Sequence, residues 1–449
     1  MPARPARRPR TAAPALLALA GACALLAPGR AAAQSLKELY EAARAYDASY
    51  LAARALAESA QYRMEQSDAL QRPQLGVTAA GSAARVDPPG AGAMSSNLVQ
   101  GALNGRYALF NRGNDATVAQ GRKGYEAAQT DLESAEQDLI VRVAQAYFDV
   151  LAAHDSLAAT RANKVAITEQ LASAKRNFEV GTTTITDTRE AQARFDLATA
   201  QEIAAEGDLR VRRIALDQLV GRSGVEPKPL AEPVVLPTLV PGSAEEWVNV
   251  AAAQHPSIRK ARLGLDVAHL ETEKARSARL PTVDAVASLA SADQRGGAVL
   301  PASRGVTTTG SIGVQLNWPL YTGGAIEGRV KETLLLEQKA GNDLQAALRG
   351  VAQGTRVAFF GVQSGEAQVR ALEAAEASSK LALEATQLGY KVGVRVNLDV
   401  LNAQTQLYGT QRDLARARYD VIVGGLRLRQ ATGQLAGGDV EAVNALLAK

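Results

Sequence analysis

The chain has one cysteine, Cys23, and three scattered histidines, His154, His255 and His269, in 449 residues. That excludes an internal disulfide framework and offers no spaced metal-ligand set. Aromatic residues are scarce at 4%, with six phenylalanines and two tryptophans, which is little for a large globular core. After residue 34 no apolar stretch reaches the roughly 18 uninterrupted residues of a helical membrane span. P-loops, dinucleotide fingerprints and nucleophile elbows are missing as well. No enzymatic activity, cofactor or metal centre is expected.

A surplus of positive charge is also lacking once the N-terminus is set aside. Residues 1–33 read as a secretory signal peptide: Arg4, Arg7, Arg8 and Arg10, an apolar core over 11–27, then Ala31-Ala32-Ala33 before Gln34. Their removal takes away five arginines, counting Arg30, and no acids, so the formal net charge passes from +4 to −1. No case for nucleic-acid binding survives this. Cys23 lies inside the signal, and its lipidation is the less favoured reading because the apolar run continues through Leu25-Leu26.

What the chain does have is a duplication. Ser49 matches Ser257 and Pro73 matches Pro281 at an offset of 208. Tyr107-Ala-Leu-Phe110 matches Trp318-Pro-Leu-Tyr321 at 211, and Ala146-Tyr-Phe148 matches Ala358-Phe-Phe360 at 212. Val180-Gly181 and Asp187 match Val392-Gly393 and Asp399 at the same 212. A period this long is a repeated half-molecule, not a solenoid unit.

Each half contains a very long helix. The first, over 114–180, has no proline, and Val118, Tyr125, Leu132, Leu139 and Ala146 recur every seven residues. The series jumps to Leu157 and resumes through Lys164, Leu171 and Phe178. The second helix, over 325–392, repeats both the heptads and the jump. Four added residues form a stutter that locally unwinds a supercoil. At 1.5 Å per residue such a helix is on the order of 100 Å long. Gly181 and Gly393 end these helices at tip turns, and return helices are expected over 184–221 and 397–433. Val400, Leu407, Leu414, Val421 and Leu428 give the second return helix strict heptads. Shorter helices over 36–70 and 245–278 precede each hairpin.

Between short and long helix the period changes to two. Ile312, Val314, Leu316, Trp318 and Leu320 alternate with Thr309, Ser311, Gly313, Gln315 and Asn317. Val99, Leu103, Tyr107 and Leu109 oppose Gln100, Asn104 and Arg106 in the same way. With weaker alternation over 75–83 and 283–291, two hairpins are expected, with strands at about 72–86, 97–110, 281–292 and 306–321. A girdle of Tyr107, Phe110, Trp318 and Tyr321 at one end marks them as membrane strands. Four strands cannot close a barrel, and a membrane sheet must close, so the chain must oligomerise.

The strings Phe-Glu-Val-Gly-Thr-Thr-Thr-Ile-Thr-Asp (178–187), Gly-Tyr-Lys-Val-Gly-Val-Arg-Val-Asn-Leu-Asp-Val-Leu (389–401), Arg-Pro-Gln-Leu (72–75) and Trp-Pro-Leu-Tyr-Thr-Gly-Gly (318–324) resemble the TolC family of outer-membrane efflux and secretion proteins. The resemblance covers residues 36–433. It implies a homotrimer, with a twelve-strand membrane β-barrel embedded in outer-membrane lipid and an all-α coiled-coil barrel in the periplasm of a Gram-negative bacterium. It implies a periplasmic adaptor and an inner-membrane ABC or RND transporter as partners, and a passive exit duct as the function. The expected division is a signal peptide over 1–33, a first repeat over 34–225, an equatorial linker over 226–243, a second repeat over 244–433 and a tail over 434–449.

The two tips differ: Phe178 and Thr183 stand where the second copy has Tyr390 and Arg395. The resemblance suggests a periplasmic gate in which Tyr390 and Arg395 pair with Thr186 and Asp187 of the other hairpin. Asp187 and Asp399 also suit the first turn of a return helix, with Asp187-x-x-Glu190 resembling a capping box. Asp399, repeated around a pore, would form a cation-selectivity ring. The family often carries a second acid one turn later; this chain has Asn402, so a single acidic ring and weaker selectivity are expected. The alternatives are a structural or adhesive trimeric coiled-coil protein anchored by its hairpins, which would not need asymmetric charged tips, and a periplasmic adaptor, which would lack membrane strands. The cargo, whether unfolded protein or small molecules, is not written in the sequence.

Overall fold

The computed structural model describes residues 33–448 apart from 88, 91, 238 and 300–303. The expected signal segment lies outside the described residues except for Ala33, and Cys23 lies outside with it.

Each half begins with two helices where the sequence suggested one. In the first half these are α1 (Leu36–Tyr46) and α2 (Ala48–Asp68). Asp47 breaks them: its backbone is extended, and its side chain accepts the Tyr50 N–H to cap α2. In the second half α5 (Ala244–Gln254) and α6 (Pro256–Ser277) part at His255. Pro256 lacks an N–H and forces the residue before it into extended backbone, which suits the first position of a new helix.

The strands are β1 (Gln74–Val86), β2 (Met94–Phe110), β3 (Thr282–Gly296) and β4 (Gly305–Asn317). β4 stops at Asn317, short of the expected 321, because Pro319 cannot donate to a ladder. The strands form one antiparallel sheet in the order β1-β2-β3-β4, with the two halves joined at β2–β3. The outer edges of β1 and β4 carry no partner strand among the described residues.

α3 (Arg112–Glu179) has 68 residues and α7 (Ala325–Lys391) has 67, each about 100 Å long. Their return helices are α4 (Ile185–Val220) and α8 (Asn397–Thr432), and α9 (Gly437–Asn444) follows. The α8 heptad stripe, Val400, Leu407, Leu414, Val421 and Leu428, is buried throughout, as are Val118, Leu139, Leu157 and Leu171 of α3. On α7 the corresponding Leu344, Val351 and Leu383 are only half-buried, and Leu335, Val357, Phe360, Leu381 and Leu388 are exposed. The single chain therefore leaves one flank of α7 without cover.

The main core sits at the middle of the helical part. Leu139, Val143, Tyr147 and Phe148 of α3 pack there with Leu36 and Leu39 of α1, Leu216 of α4, Leu426 of α8 and Val440 of α9. The buried Tyr147 hydroxyl serves the carbonyls of Gln34 (3.2 Å) and Lys228 (2.9 Å), so it fastens the chain's start to the connecting segment. Leu230 bridges to Leu447, which brings the tail into the same equator. Asp47 also takes a two-pronged bond from Arg142, both contacts at 2.9 Å, tying the α1–α2 joint to α3. This bond holds the Asp47 carboxyl below its ordinary range. The equivalent positions in the second half are His255 and Gly354, so only one half has this lock.

Candidate functional site

Two regions have the chemistry of a duct: the faces of the sheet and the helical tips. In the sheet, the pairings Gln74–Arg106, Ala108–Asp284 and Asp284–Gln315 put Gln74, Thr78, Ser82, Gln100, Asn104, Arg106, Asp284, Ser288, Ser311 and Gln315 on one side. The other side carries Leu75, Val77, Val99, Leu103, Tyr107, Leu109, Leu289, Ile312, Val314 and Leu316, all exposed to surroundings in the single chain. Ile312 is 90% exposed and Leu75 77%. A soluble sheet would cover such a face; a membrane strand turns it to lipid. Tyr107, Phe110, Trp318 and Tyr321 gather at the helix-proximal end, where the Trp318 indole N–H donates to the Arg279 carbonyl at 3.2 Å. On the polar side Arg106 binds Asp284 at 2.7 Å across the β2–β3 junction. Thirteen residues, the length of β1 and of β4, exceed the 9–11 or so that a tilted membrane strand needs.

At the tips, α3 and α7 end the same way. Gly181 (φ +77°) and Gly393 (φ +78°) adopt the left-handed backbone that favours glycine. Thr182 N–H reaches the Asn177 carbonyl at 2.8 Å and Val394 N–H the Gly389 carbonyl at 2.8 Å, a Schellman closure in both copies. The return helices start differently. Thr184 caps α4, its hydroxyl oxygen accepting the Asp187 N–H at 3.3 Å while Asp187 accepts the Thr184 N–H at 3.1 Å. The capping box is thus Thr184–Asp187, one turn earlier than the expected Asp187–Glu190, because Asp187 occupies the third helical position. In α8 the cap position is Val396, which has no side-chain acceptor, and Asp399 instead pairs with Arg395 at 3.5 Å.

The expected gate pairs are therefore distributed otherwise within one chain. Arg395 bonds Asp399 of its own tip, Asp187 is engaged by Thr184, and among the described residues Thr186 makes no cross-tip bond. Tyr390 does reach the other hairpin, but its hydroxyl oxygen accepts from the Asn177 amide at 3.3 Å. Lower down, Arg194 of α4 donates to the side-chain Oδ1 of Asn402 on α8 at 3.0 Å. Asn402, noted above for the acid it replaces, is thus a cross-hairpin acceptor.

Sequence reasoning passed over Asn177 and its repeat equivalent Gly389, yet the offset of 212 aligns them as a further unlike pair. Gly389 has a steric purpose: a Cβ there would stand 2.8 Å from Arg395 Cγ, so the missing side chain admits the arginine stem. The first tip has the bond donor Asn177 with Thr183, and the second has the cleared space Gly389 with Arg395.

A lipid-facing sheet continued by paired helices of about 100 Å defines an outer-membrane channel-tunnel protein, and the chain belongs to the outer membrane efflux protein family, whose model matches residues 39–222 and again 247–434. Among its relatives, the outer membrane protein TolC of Vibrio cholerae is 33% identical over 92% of this chain and 94% of its own length. The alkaline protease secretion protein AprF of Pseudomonas aeruginosa is 35% identical over 72% of this chain and 68% of its own. The fold is shared with the outer membrane protein VceC of Vibrio cholerae (TM-score 0.75, 21% identity, 89% of this chain and 96% of that one) and with CusC (TM-score 0.78, 20% identity, 89% and 92%).

Proposed function

We propose that three copies of this chain form a passive exit duct through the outer membrane and periplasm, working in a tripartite efflux or type I secretion system. The carrying observation is the two-faced four-stranded sheet, both of whose edges are free among the described residues, continued by helical hairpins. Twelve strands from three chains give a closed barrel, and closure is what a membrane sheet requires. The exposed flank of α7 gains cover from the same assembly. Relatives named for TolC, for alkaline protease secretion and for proteases secretion support the export role.

In this reading energy and cargo choice come from an inner-membrane ABC or RND transporter reached through a periplasmic adaptor. The tips form the gate: Tyr390 with Asn177 links hairpins, while Arg395 and Asp187 exchange their partners within the tip for partners across it. Asp399 supplies the cation-selecting carboxylate. The test is reconstitution. The purified protein should run as a heat-dissociable trimer and give discrete conductance steps in planar bilayers. A monomeric protein that leaves the bilayer silent would rule the reading out.

A further inference from the structure

The duplication relates two junctions of a closed barrel, not only two hairpins. β3 repeats β1 at an offset of 208, set by Pro73 and Pro281, and β4 repeats β2 at 211, set by Tyr107 and Trp318. Paired positions add up to 180 in the first hairpin and 599 in the second, and the two offsets account for the whole difference. At the junction of the two copies, β2 against β3, paired positions add up to 392 from Ser96–Gly296 to Ala108–Asp284. Around a closed ring the equivalent junction is β4 of one chain against β1 of the next.

Carrying the β2–β3 register across with these offsets, we infer that β4 pairs antiparallel with β1 of a second copy of this chain so that paired positions add up to 395. Asn317 then lies opposite Thr78 of the second copy, Gln315 opposite Ala80, and Ser311 opposite Ala84. This rests on the oligomeric-barrel reading above but specifies what that reading leaves open.

Three observations converge on the register. Both edges are free of partner strands among the described residues. The faces also agree, since Asn317, Gln315 and Ser311 belong to the polar side of β4, and Thr78, Ala80 and Ala84 to the same side of β1. A slip of one residue would turn Ile312, Val314 and Leu316 into the lumen. On the lipid side those three large residues meet Ala83, Gly81 and Ala79, so bulk faces small side chains across the junction. The chemistry of the two junctions nonetheless differs. Arg106 and Asp284 bind across β2–β3, while their repeat equivalents at the new junction are Asn317 and Gly76. The junction between chains is held by its backbone ladder without that ion pair.

Cys23 is the only cysteine of the chain, so paired cysteines give an unambiguous test. Gln315→Cys with Ala80→Cys, and separately Ser311→Cys with Ala84→Cys, are expressed in the full chain and oxidised in outer-membrane preparations. Within one chain β2 and β3 stand between these positions, a distance of about 14 Å at ~4.8 Å per strand step. That exceeds the roughly 7 Å a disulfide can bridge, so any link reports two chains. Reductant-sensitive linked dimers and trimers are expected from both pairs, at least about tenfold more abundant than from Gln315→Cys with Thr78→Cys or with Ser82→Cys. Preferential linking of a two-residue-slipped pair, in membranes where amine cross-linking still yields trimers, overturns the register and leaves the trimer standing. No oligomer by amine cross-linking overturns the reading beneath it.

Discussion

Tyr390→Phe removes one atom and should open the duct. The Tyr390 hydroxyl oxygen is the acceptor for the Asn177 amide at 3.3 Å, in a partly buried cross-hairpin contact. A neutral bond of this kind contributes about 1 kcal/mol net. If the tips of three chains part together, the effect is about 3 kcal/mol, roughly a 10²-fold rise in the open-to-closed ratio. Arg395→Ser instead removes the proposed cross-tip partner of Asp187, a side chain that is 61% exposed beside its own-tip Asp399, which contributes at most about 1 kcal/mol per chain and is weakened by salt. The two variants should therefore separate on ionic strength, with the phenylalanine effect surviving salt and the serine effect fading. Single-channel recording gives the ratio directly. Asn177→Ala should reproduce the phenylalanine phenotype, and the double variant should add little, because both remove one bond. Additive effects of Asn177→Ala and Tyr390→Phe, or a closed fraction unmoved by Tyr390→Phe, would refute the assignment of Asn177.

Two further outcomes follow from particular contacts. Because Arg395 stands 3.5 Å from Asp399, it offsets the carboxylate proposed to select cations. Asp399→Ala should lower the cation-to-anion permeability ratio and Arg395→Ser should raise it, by a few-fold each in reversal-potential measurements; shifts of the same sign would sink the single-ring account. His255 caps α6 by accepting the Ser257 N–H at 3.1 Å, which only a neutral ring can do, and burial holds its pKa below 6.5. A depressed imidazole stabilises the fold fully above 6.5, and that contribution is lost as pH falls from there through the folded-state value. The Ser257 amide, corrected for intrinsic exchange, should lose protection over that acidic range in the wild type and keep it in His255→Asn, whose side chain caps without titrating, a difference of about 1 kcal/mol at most.

Most of the architecture was legible because it is written in periods. The alternation of Ile312, Val314 and Leu316 with Ser311 and Gln315 specified β4 and its two faces. The heptads from Val400 to Leu428 specified the buried stripe of α8. What escaped depends on single residues that carry no period. Asp47 and His255 split helices by capping, a local hydrogen-bond choice hidden inside an unbroken helical pattern. At the tips, aspartate was recognised as a first-turn residue, but its partner depended on whether Thr184 or Val396 preceded it. Only the hydroxyl could close a box.

At the tips, differences between the two copies are coupled. The bond between the tips joins non-equivalent positions, Asn177 of the first and Tyr390 of the second. The hydroxyl that the second copy adds at Tyr390 meets its donor on the other hairpin in Asn177. An asparagine at the equivalent position of the second tip, however, would occupy the space into which Arg395 folds, since even a Cβ on Gly389 comes within 2.8 Å of the arginine stem. The differences at 177/389, 178/390 and 183/395 are thus linked through two contacts, bond donor with acceptor and cleared space with arginine. The junction of sheets follows the same logic, with Arg106 and Asp284 brought together where the copies meet and Gly76 and Asn317 left at the outer edges. Duplication supplied a pseudo-symmetric wall, and coupled departures from it decide which joints hold and which can part.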